Sequence, residues 1–352
     1  MDKTSPRPLL RVRSEWSTPQ LLEALQGVLN GDGPALSFGG SYYVSDFTSV
    51  SNDCAVVIPT SGSTAIPKFT ALSAAGLIAS TRASLTYLDA SDGDCWSLLL
   101  PTTHIAGVNV LMRALELNSE IVGVESAADF TAIVPTQLHR ALHGDTQLLE
   151  HLQNTKAVLV GGSATSTELI NSAAMLGINV ITTYGMTEMS GGCIYNGTSL
   201  TGVDLRIVDG VIELNGPMKA IGYLGEDRFN DGYFRTSDAG QIVDGKLEVL
   251  GRLDDQIISG GEKISLGAIS DFLEVGTSQR FIAVGLPDLE WGQALAIASD
   301  GPLDEAVIRE RLRIKFGVHA SPKRYLANIE LPLTSLGKAD RKRLVELFGR
   351  LR

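Results

Sequence analysis

Cysteine is scarce in this chain. Cys54, Cys95 and Cys193 lie far apart, are odd in number and form no Cys-x-x-Cys pair. That spacing excludes a disulfide framework and a cysteine-based zinc site, and it fits a reducing compartment. Positive charge is short as well. Against 40 Asp and Glu stand 29 Lys and Arg, a formal net charge of -11, which is the wrong sign for a non-specific nucleic-acid or anionic-membrane binder. A small anionic ligand stays compatible, since it needs only local positive charge. No apolar run approaches the roughly 20 residues that span a bilayer, so no membrane insertion is expected. Met1 to Arg13 carries Asp2 and Pro6 and has no apolar centre, so no signal peptide is expected and the protein reads as cytoplasmic and soluble. The Gly-x-x-x-x-Gly-Lys-Ser/Thr spacing of P-loop NTPases is also missing.

What is present is an ordinary globular composition, 44% hydrophobic and 20% charged, in 352 residues, enough for two domains with sizeable cores. The chain is organised around Thr60-Ser-Gly-Ser-Thr-Ala-Ile-Pro-Lys68, which follows a short apolar run, Ala55 to Ile58. Hydroxyls, backbone N–H groups and a terminal lysine suit a loop that wraps a polyphosphate. A solvated Ser/Thr-rich turn fits the same residues taken alone.

The rest divides into three textures. Residues 17–29 carry Leu21, Leu22, Leu25 and Val28 at helical spacing, and a Gly/Ser-rich stretch runs on to residue 52. From Ala55 to Gly185, apolar strands (Trp96–Leu100, Glu120–Val124, Ala157–Val160, Val180–Thr183) alternate with helical stretches (Ser73–Leu88, Ile105–Leu117, Thr165–Leu176). That alternation predicts an α/β fold with a mainly parallel sheet, with ligands beyond the strands' carboxyl ends, where the Thr60–Lys68 loop would fall. Residues 190–250 alternate around Asp209-Gly210 and Asp244-Gly245, which predicts antiparallel hairpins. Beyond Arg252, strands at Gln256–Ile258, Phe281–Gly285 and Ala294–Ala298 mix with helices near 264–274, 303–316 and 338–348, an α+β pattern. The predicted boundary falls at Leu253–Asp255, dividing the chain into 1–252 and 253–352.

Five further stretches stand out: Thr182-Thr-Tyr-Gly-Met-Thr-Glu188, Asp231-Gly-Tyr-Phe-Arg-Thr-Ser-Asp238, Gly251-Arg-Leu-Asp-Asp-Gln-Ile-Ile-Ser-Gly-Gly-Glu-Lys-Ile264, Gly285-Leu-Pro-Asp-Leu-Glu-Trp-Gly-Gln293 and Leu333-Thr-Ser-Leu-Gly-Lys-Ala-Asp-Arg341. In this order, from about residue 55 to 345, they resemble the acyl-adenylate-forming superfamily of acyl-CoA synthetases, adenylation domains and luciferases. The region ahead of Thr60 is short. With Pro101-Thr-Thr-His-Ile-Ala-Gly-Val-Asn-Val-Leu-Met-Arg113 and Val134-Pro-Thr-Gln-Leu138, this resembles the compact o-succinylbenzoate–CoA ligases of menaquinone biosynthesis. The resemblance implies a large N-terminal domain, a small mobile C-terminal domain, and ATP, Mg²⁺, CoA and a carboxylic acid as reactants. A ligase for another aryl or acyl acid, and a non-catalytic nucleotide-binding relative, are the alternatives.

The resemblance also implies roles. Thr60, Ser61, Gly62, Ser63, Thr64 and Lys68 would hold the departing phosphates, and Thr187 the α-phosphate. Glu188 would hold Mg²⁺, a hard cation that takes oxygen ligands. Thr183, Tyr184, Gly185 and Met186 would form the adenine and AMP wall, with Tyr184 stacking and Gly162, Ser163 and Ala164 opposite. Asp238 would accept both ribose hydroxyls, and Arg252 would contact ribose or phosphate. Lys338 would place an ammonium where two anions meet. Asp254 would be the hinge, and Gly260 and Gly261 would line a pantetheine tunnel. Blander readings fit too: Glu188 and Asp238 as caps, Tyr184 as core, Lys338 as a solvated helix start.

For the acid itself, His104 either contacts substrate or caps and packs. On the helix it precedes, Val108, Leu111, Met112 and Leu115 form an apolar stripe, with Asn109 and Arg113 opposite. Arg113 is a candidate for the non-reacting carboxylate, with Lys263 and Arg206 as rivals. Departures from the superfamily pattern are Ala65 and Ser237, each where Gly is usual, and Ala268 and Ser270 where acids are common. Homodimers are common among enzymes, but no segment marks an interface.

Overall fold

Strands this short gain their stability from neighbours, and here two sheets of them flank two central helices. The computed structural model describes residues 6–39, 47–60, 68–253, 255–275, 277, 279–333 and 339–350. Ser61–Thr64, Asp254 and Lys338 fall outside the described residues.

The first sheet has the order Gly222–Tyr223, Lys68–Ser73, Cys54–Thr60, Ala35–Ser37, Arg7–Arg11, Ser49–Val50. Only the ladders that join Arg7–Arg11, Ala35–Ser37 and Cys54–Thr60 are parallel. The second runs Thr198–Ser199, Gly191–Tyr195, Val180–Met186, Ala157–Val160, Phe130–Ile133, Trp96–Ser97, Ile121–Val122. It is parallel from Val180–Met186 onward and antiparallel at the other edge. The first sheet is therefore mixed, whereas the second is mainly parallel, as the strand–helix alternation predicts.

One consequence concerns the phosphate-loop candidate. Cys54–Thr60 and Lys68–Ser73 pair antiparallel, with Thr60 opposite Lys68. The segment between them joins two adjacent antiparallel strands, not a strand and a crossover helix.

The helices Ala74–Leu88 and Ile105–Glu116 serve both sheets. Val108 and Leu111 join the core containing Val56, Ile58 and Leu72 of the first sheet. Val110 joins the core containing Trp96, Phe130 and Ile181 of the second. A helix covered on opposite sides has no solvated face, so Asn109 and Arg113 are buried with the apolar stripe.

The antiparallel section is a four-stranded sheet, Asp204–Val208, Val211–Asn215, Phe234–Val243, Lys246–Arg252. Asp209 and Gly210 have φ of 53° and 73°, and Asp244 and Gly245 have 49° and 75°. Two successive left-handed residues make the tight turn that matches strand twist. A last sheet takes Glu262–Ser265, Gln256–Ser259, Gly292–Ser299 and Phe281–Asp288 in that order, with Arg324–Leu326 beside Gly292–Ser299. Helices Leu266–Glu274, Glu305–Phe316 and Arg341–Arg350 pack on it. No helix among the described residues is long and apolar enough to cross a membrane.

Candidate active site

The strand Val180–Met186 ends in a short 3-10 turn, Thr187–Met189, and the chain reverses through Ser190 and Gly191, with φ of 53° and 113°. The return strand comes so close that a Cβ on Gly185 would lie 2.0 Å from the Gly191 carbonyl oxygen. Only glycine fits there. Three bonds fix the turn. The Ser190 carbonyl accepts from Ser80 Oγ at 3.2 Å and from Asn109 Nδ2 at 2.9 Å, and Ser190 Oγ donates to the Met218 carbonyl at 2.7 Å. Thr187 and Glu188 thus stand on a turn bolted to both central helices.

Two carboxylates of the site each receive a tyrosine hydroxyl. Tyr184 donates to Asp238 Oδ2 at 2.7 Å. Tyr223, which the sequence reading did not single out, donates to Glu188 Oε1 at 2.7 Å. Burial, and next the adjacent carboxylate, pushes both phenols far above their ordinary pKa, so both stay protonated donors. The Asp238 amide donates to Thr236 Oγ1 at 3.0 Å, and Asp238 pairs with Arg252 across the Phe234–Val243 and Lys246–Arg252 ladder. Tyr184, Asp238 and Arg252 therefore come together, although they are distant in sequence.

Lys68, at the base of the candidate phosphate loop, adjoins the second pair. The ammonium of Lys68 sits 4.3 Å from the centre of the Tyr223 ring and 3.1 Å from a Glu226 carboxylate oxygen. Thr60 Oγ1 donates to the Lys68 carbonyl at 3.3 Å. Gly162 has φ of 87°, and Ser163 and Ala164 after it are exposed. A Cβ on the preceding Gly161 would meet Thr183 Oγ1 at 2.1 Å. That close approach holds Gly162–Ala164 alongside Thr183.

The expected acid-pocket residues divide. His104 is the N-cap residue of Ile105–Glu116 and makes no side-chain cap bond. Ile105, beside it, lies 3.7 Å from where a Gly191 Cβ would be, so this helix end abuts the Thr187–Gly191 turn. Asn109 binds that turn from the core, and its Oδ1 has no partner among the described residues. Arg113 is 4% exposed. Its Nε donates to Ser84 Oγ at 3.0 Å and its Nη2 to Tyr195 Oη at 3.1 Å, and its guanidinium lies 4.8 Å from the Trp96 ring centre. Arg113 is thus already engaged by core partners. Arg206 is engaged as well: it pairs with Glu213 at 2.7 Å and stacks on Tyr233 at 3.9 Å. Lys263 is exposed on Glu262–Ser265.

Gly260 and Gly261, with φ of 59° and 89°, form the turn between Gln256–Ser259 and Glu262–Ser265. A Cβ on Gly260 would fall 2.7 Å from the Trp291 ring. Tight turning and aromatic contact thus require glycine at Gly260 on structural grounds alone. Sequence reasoning also missed Arg341, which pairs with Asp255 at 2.9 Å and donates through Nε to the Ala283 carbonyl at 2.9 Å. It ties the start of the last helix to the residue after the expected hinge.

No cluster of three or more His, Cys, Asp or Glu able to hold a metal occurs among the described residues. A lone Glu188 carboxylate nevertheless fits Mg²⁺, which commonly binds one or two carboxylates together with substrate phosphates.

Residues 43–211 match the AMP-binding enzyme family. The chain is 35% identical to a probable 2-succinylbenzoate–CoA ligase of Mycobacterium tuberculosis, over 97% of this chain and 98% of that protein. It is 29% identical to the 2-succinylbenzoate–CoA ligase of Lactococcus lactis, over 82% of this chain and 70% of that one. Among solved structures, an E. coli MenE with bound OSB-AMS has the same fold, with a TM-score of 0.76 and 24% identity over 97% of this chain and 82% of that one.

Proposed function

This chain belongs to the AMP-binding enzyme family, and from that premise we propose that it is an ATP-dependent acid–CoA ligase acting on o-succinylbenzoate in menaquinone biosynthesis. The observation that carries the reading is likeness along almost the whole of both chains to a ligase of that name. The local geometry supports it, because Tyr184, Asp238 and Arg252 form one cluster and Lys68, Tyr223 and Glu188 another.

The chemistry follows from what a carboxylate lacks. Its own leaving group would be oxide, so it cannot acylate a thiol directly. In the first step a carboxylate oxygen attacks the α-phosphorus of ATP, the bond to the bridging oxygen breaks, and pyrophosphate leaves. In the second, the CoA sulfur attacks the acyl carbonyl, and AMP leaves with the electron pair of the acyl–oxygen bond.

In this reading Asp238 receives the ribose hydroxyls, Tyr184 and Gly162–Ala164 enclose the adenine, and Thr187 donates to the α-phosphate. Thr60, Lys68 and the segment between them hold the β- and γ-phosphates. Lys338 steadies the negative charge that gathers as carboxylate and phosphate approach. Mg²⁺, bound with ATP, would be held in part by Glu188 and would offset phosphate charge. His104 stands at the acid pocket, on the helix end beside the Thr187–Gly191 turn. Residues 253–352 form the mobile domain, hinged at Asp254, and its rotation exchanges Lys338 for Gly260–Gly261 against the adenylate. Three free cysteines, two of them buried, and ATP and CoA as co-substrates support a reading of the enzyme as one of the reducing cytoplasm.

The test is pyrophosphate release with ATP, Mg²⁺ and a panel of o-succinylbenzoate, benzoate, acetate and medium-chain fatty acids, with and without CoA. The expected result is release with o-succinylbenzoate alone, and thioester only when CoA is present. Release confined to another acid would overturn the substrate, and no release with any acid would overturn the ligase. Lys338→Ala is expected to slow adenylation by about 10²–10³, the usual effect of losing one charge-stabilising group.

A further inference from the structure

A carboxylate that takes part in holding a metal works only if its oxygens point the right way, and an unsupported glutamate has three rotatable bonds. Here the side chain of Glu188 is not left to itself. Tyr223 donates to Oε1 at 2.7 Å. The Glu188 carbonyl, in turn, accepts the Ala220 amide at 2.8 Å, three residues before that tyrosine. One segment thus grips Glu188 at backbone and side chain. The segment is itself fixed, because Gly222 and Tyr223 pair antiparallel with Ala71 and Thr70. The Tyr223 ring is set edge-to-face against Phe229, with centroids 5.0 Å apart. On the same ring lies the Lys68 ammonium, 4.3 Å from its centre.

We propose that Tyr223 is a positioning residue for the metal: its hydroxyl occupies Oε1 of Glu188 and turns the carboxylate toward the phosphates, while its ring seats the Lys68 ammonium beside them. The inference rests on the reading of Glu188 as a metal-holding residue. A single side chain then sets the distance between the two charges that act on the departing pyrophosphate. Second-layer hydrogen bonds of this kind commonly change metal affinity by 10- to 100-fold. An effect near or below the lower end is expected here, since the substrate phosphates supply most of the oxygen ligands.

Tyr223→Phe separates the two functions, because it removes the hydroxyl and leaves the ring under Lys68. Mn²⁺ serves as the probe, read by electron paramagnetic resonance on enzyme saturated with α,β-methylene-ATP. Y223F is expected to bind Mn²⁺ about three- to tenfold more weakly, with unchanged affinity for the analogue in metal-free buffer and an unchanged melting temperature. Glu188→Gln is expected to lose more than tenfold. Wild-type Mn²⁺ affinity in Y223F beside a weakened E188Q would overturn the positioning role and leave Glu188 in place. Wild-type affinity in both would overturn the reading of Glu188, and this inference with it. An equal loss of metal-free analogue binding in Y223F would mark the tyrosine as merely structural.

Discussion

The hydroxyl of Tyr184 donates to Asp238 Oδ2 at 2.7 Å, a bond that joins the last part of a strand in the seven-stranded sheet to the middle of the strand Phe234–Val243 in the four-stranded one. The side chain expected to lie on adenine therefore also holds the carboxylate expected to receive ribose. Asp238 is buried and Tyr184 half-buried, so the bond is partly shielded from water. A hydrogen bond to a charged group contributes about 1.5–3 kcal/mol. Tyr184→Phe keeps the ring and loses that bond, and it is expected to weaken ATP binding by about 10-fold or more. Calorimetric titration with ATP measures it; an unchanged dissociation constant would show that Asp238 needs no such support.

Lys68 is claimed before any nucleotide arrives. Its ammonium is 3.1 Å from Glu226, and the two side chains are 40% and 52% exposed. Phosphate must compete with that carboxylate for the cation. An exposed pair of this kind is worth about 0.2–1 kcal/mol. Glu226→Gln is therefore expected to lower the KM for ATP by about 1.4- to fivefold at low salt, and the difference should shrink as salt is raised. A higher KM in E226Q would mean that Glu226 helps to place Lys68 rather than competing for it.

Arg113 illustrates what periodicity leaves out. Spacing along residues 105–117 shows an apolar stripe and a polar flank, which ordinarily means a half-buried helix. It does not show that a second sheet lies over the polar flank, because Trp96, Ser84 and Tyr195 come from three other elements. The helix limits themselves were close: Ala74–Leu88, Ile105–Glu116 and Thr167–Met175 each differ from expectation by no more than two residues at either end. The strands Arg7–Arg11, Ala35–Ser37 and Phe130–Ile133 went unpredicted, being brief and stabilised by neighbours rather than by their own pattern. The site divides in the same way. Thr187, Glu188, Asp238 and Arg252 were legible because they sit in local motifs. Tyr223 was not, because its partner Glu188 is 35 residues away and only the folded sheet brings them together.

Burial of Arg113 makes a prediction opposite to that of a substrate cation. Arg113→Ala removes donors from Ser84 and Tyr195 and leaves a space beside Trp96. Those two hydroxyls still bond each other at 2.8 Å, which limits the loss. A cost of about 2–4 kcal/mol is expected, from the range for truncated buried side chains and broken buried bonds. Urea unfolding measures it. A variant of full stability that no longer binds the acid would assign Arg113 to the substrate pocket.

The pH dependence of stability has an identifiable contributor in His151. Its ring is buried and shares a 2.8 Å hydrogen bond with Ser97 Oγ. Burial depresses its pKa below the ordinary 6.5, only partly opposed by the Ser126 backbone and by Glu125. Above about pH 6.5 the ring is neutral in both folded and unfolded chains, and the fold bears no penalty. Below that pH the unfolded chain takes up a proton that the folded chain resists. The unfolded state then binds more protons, and stability falls as pH falls, by at most about 1.4 kcal/mol per pH unit from this one group. His139, whose pKa burial also lowers, acts in the same direction, so wild type alone does not isolate the effect. His151→Gln retains a partner for Ser97 and removes the proton site. Unfolding free energies from pH 8 to pH 5 are expected to decline more steeply in wild type than in H151Q, with the curves parallel above pH 7. Parallel curves throughout would mean that His151 takes up its proton equally well in the folded chain.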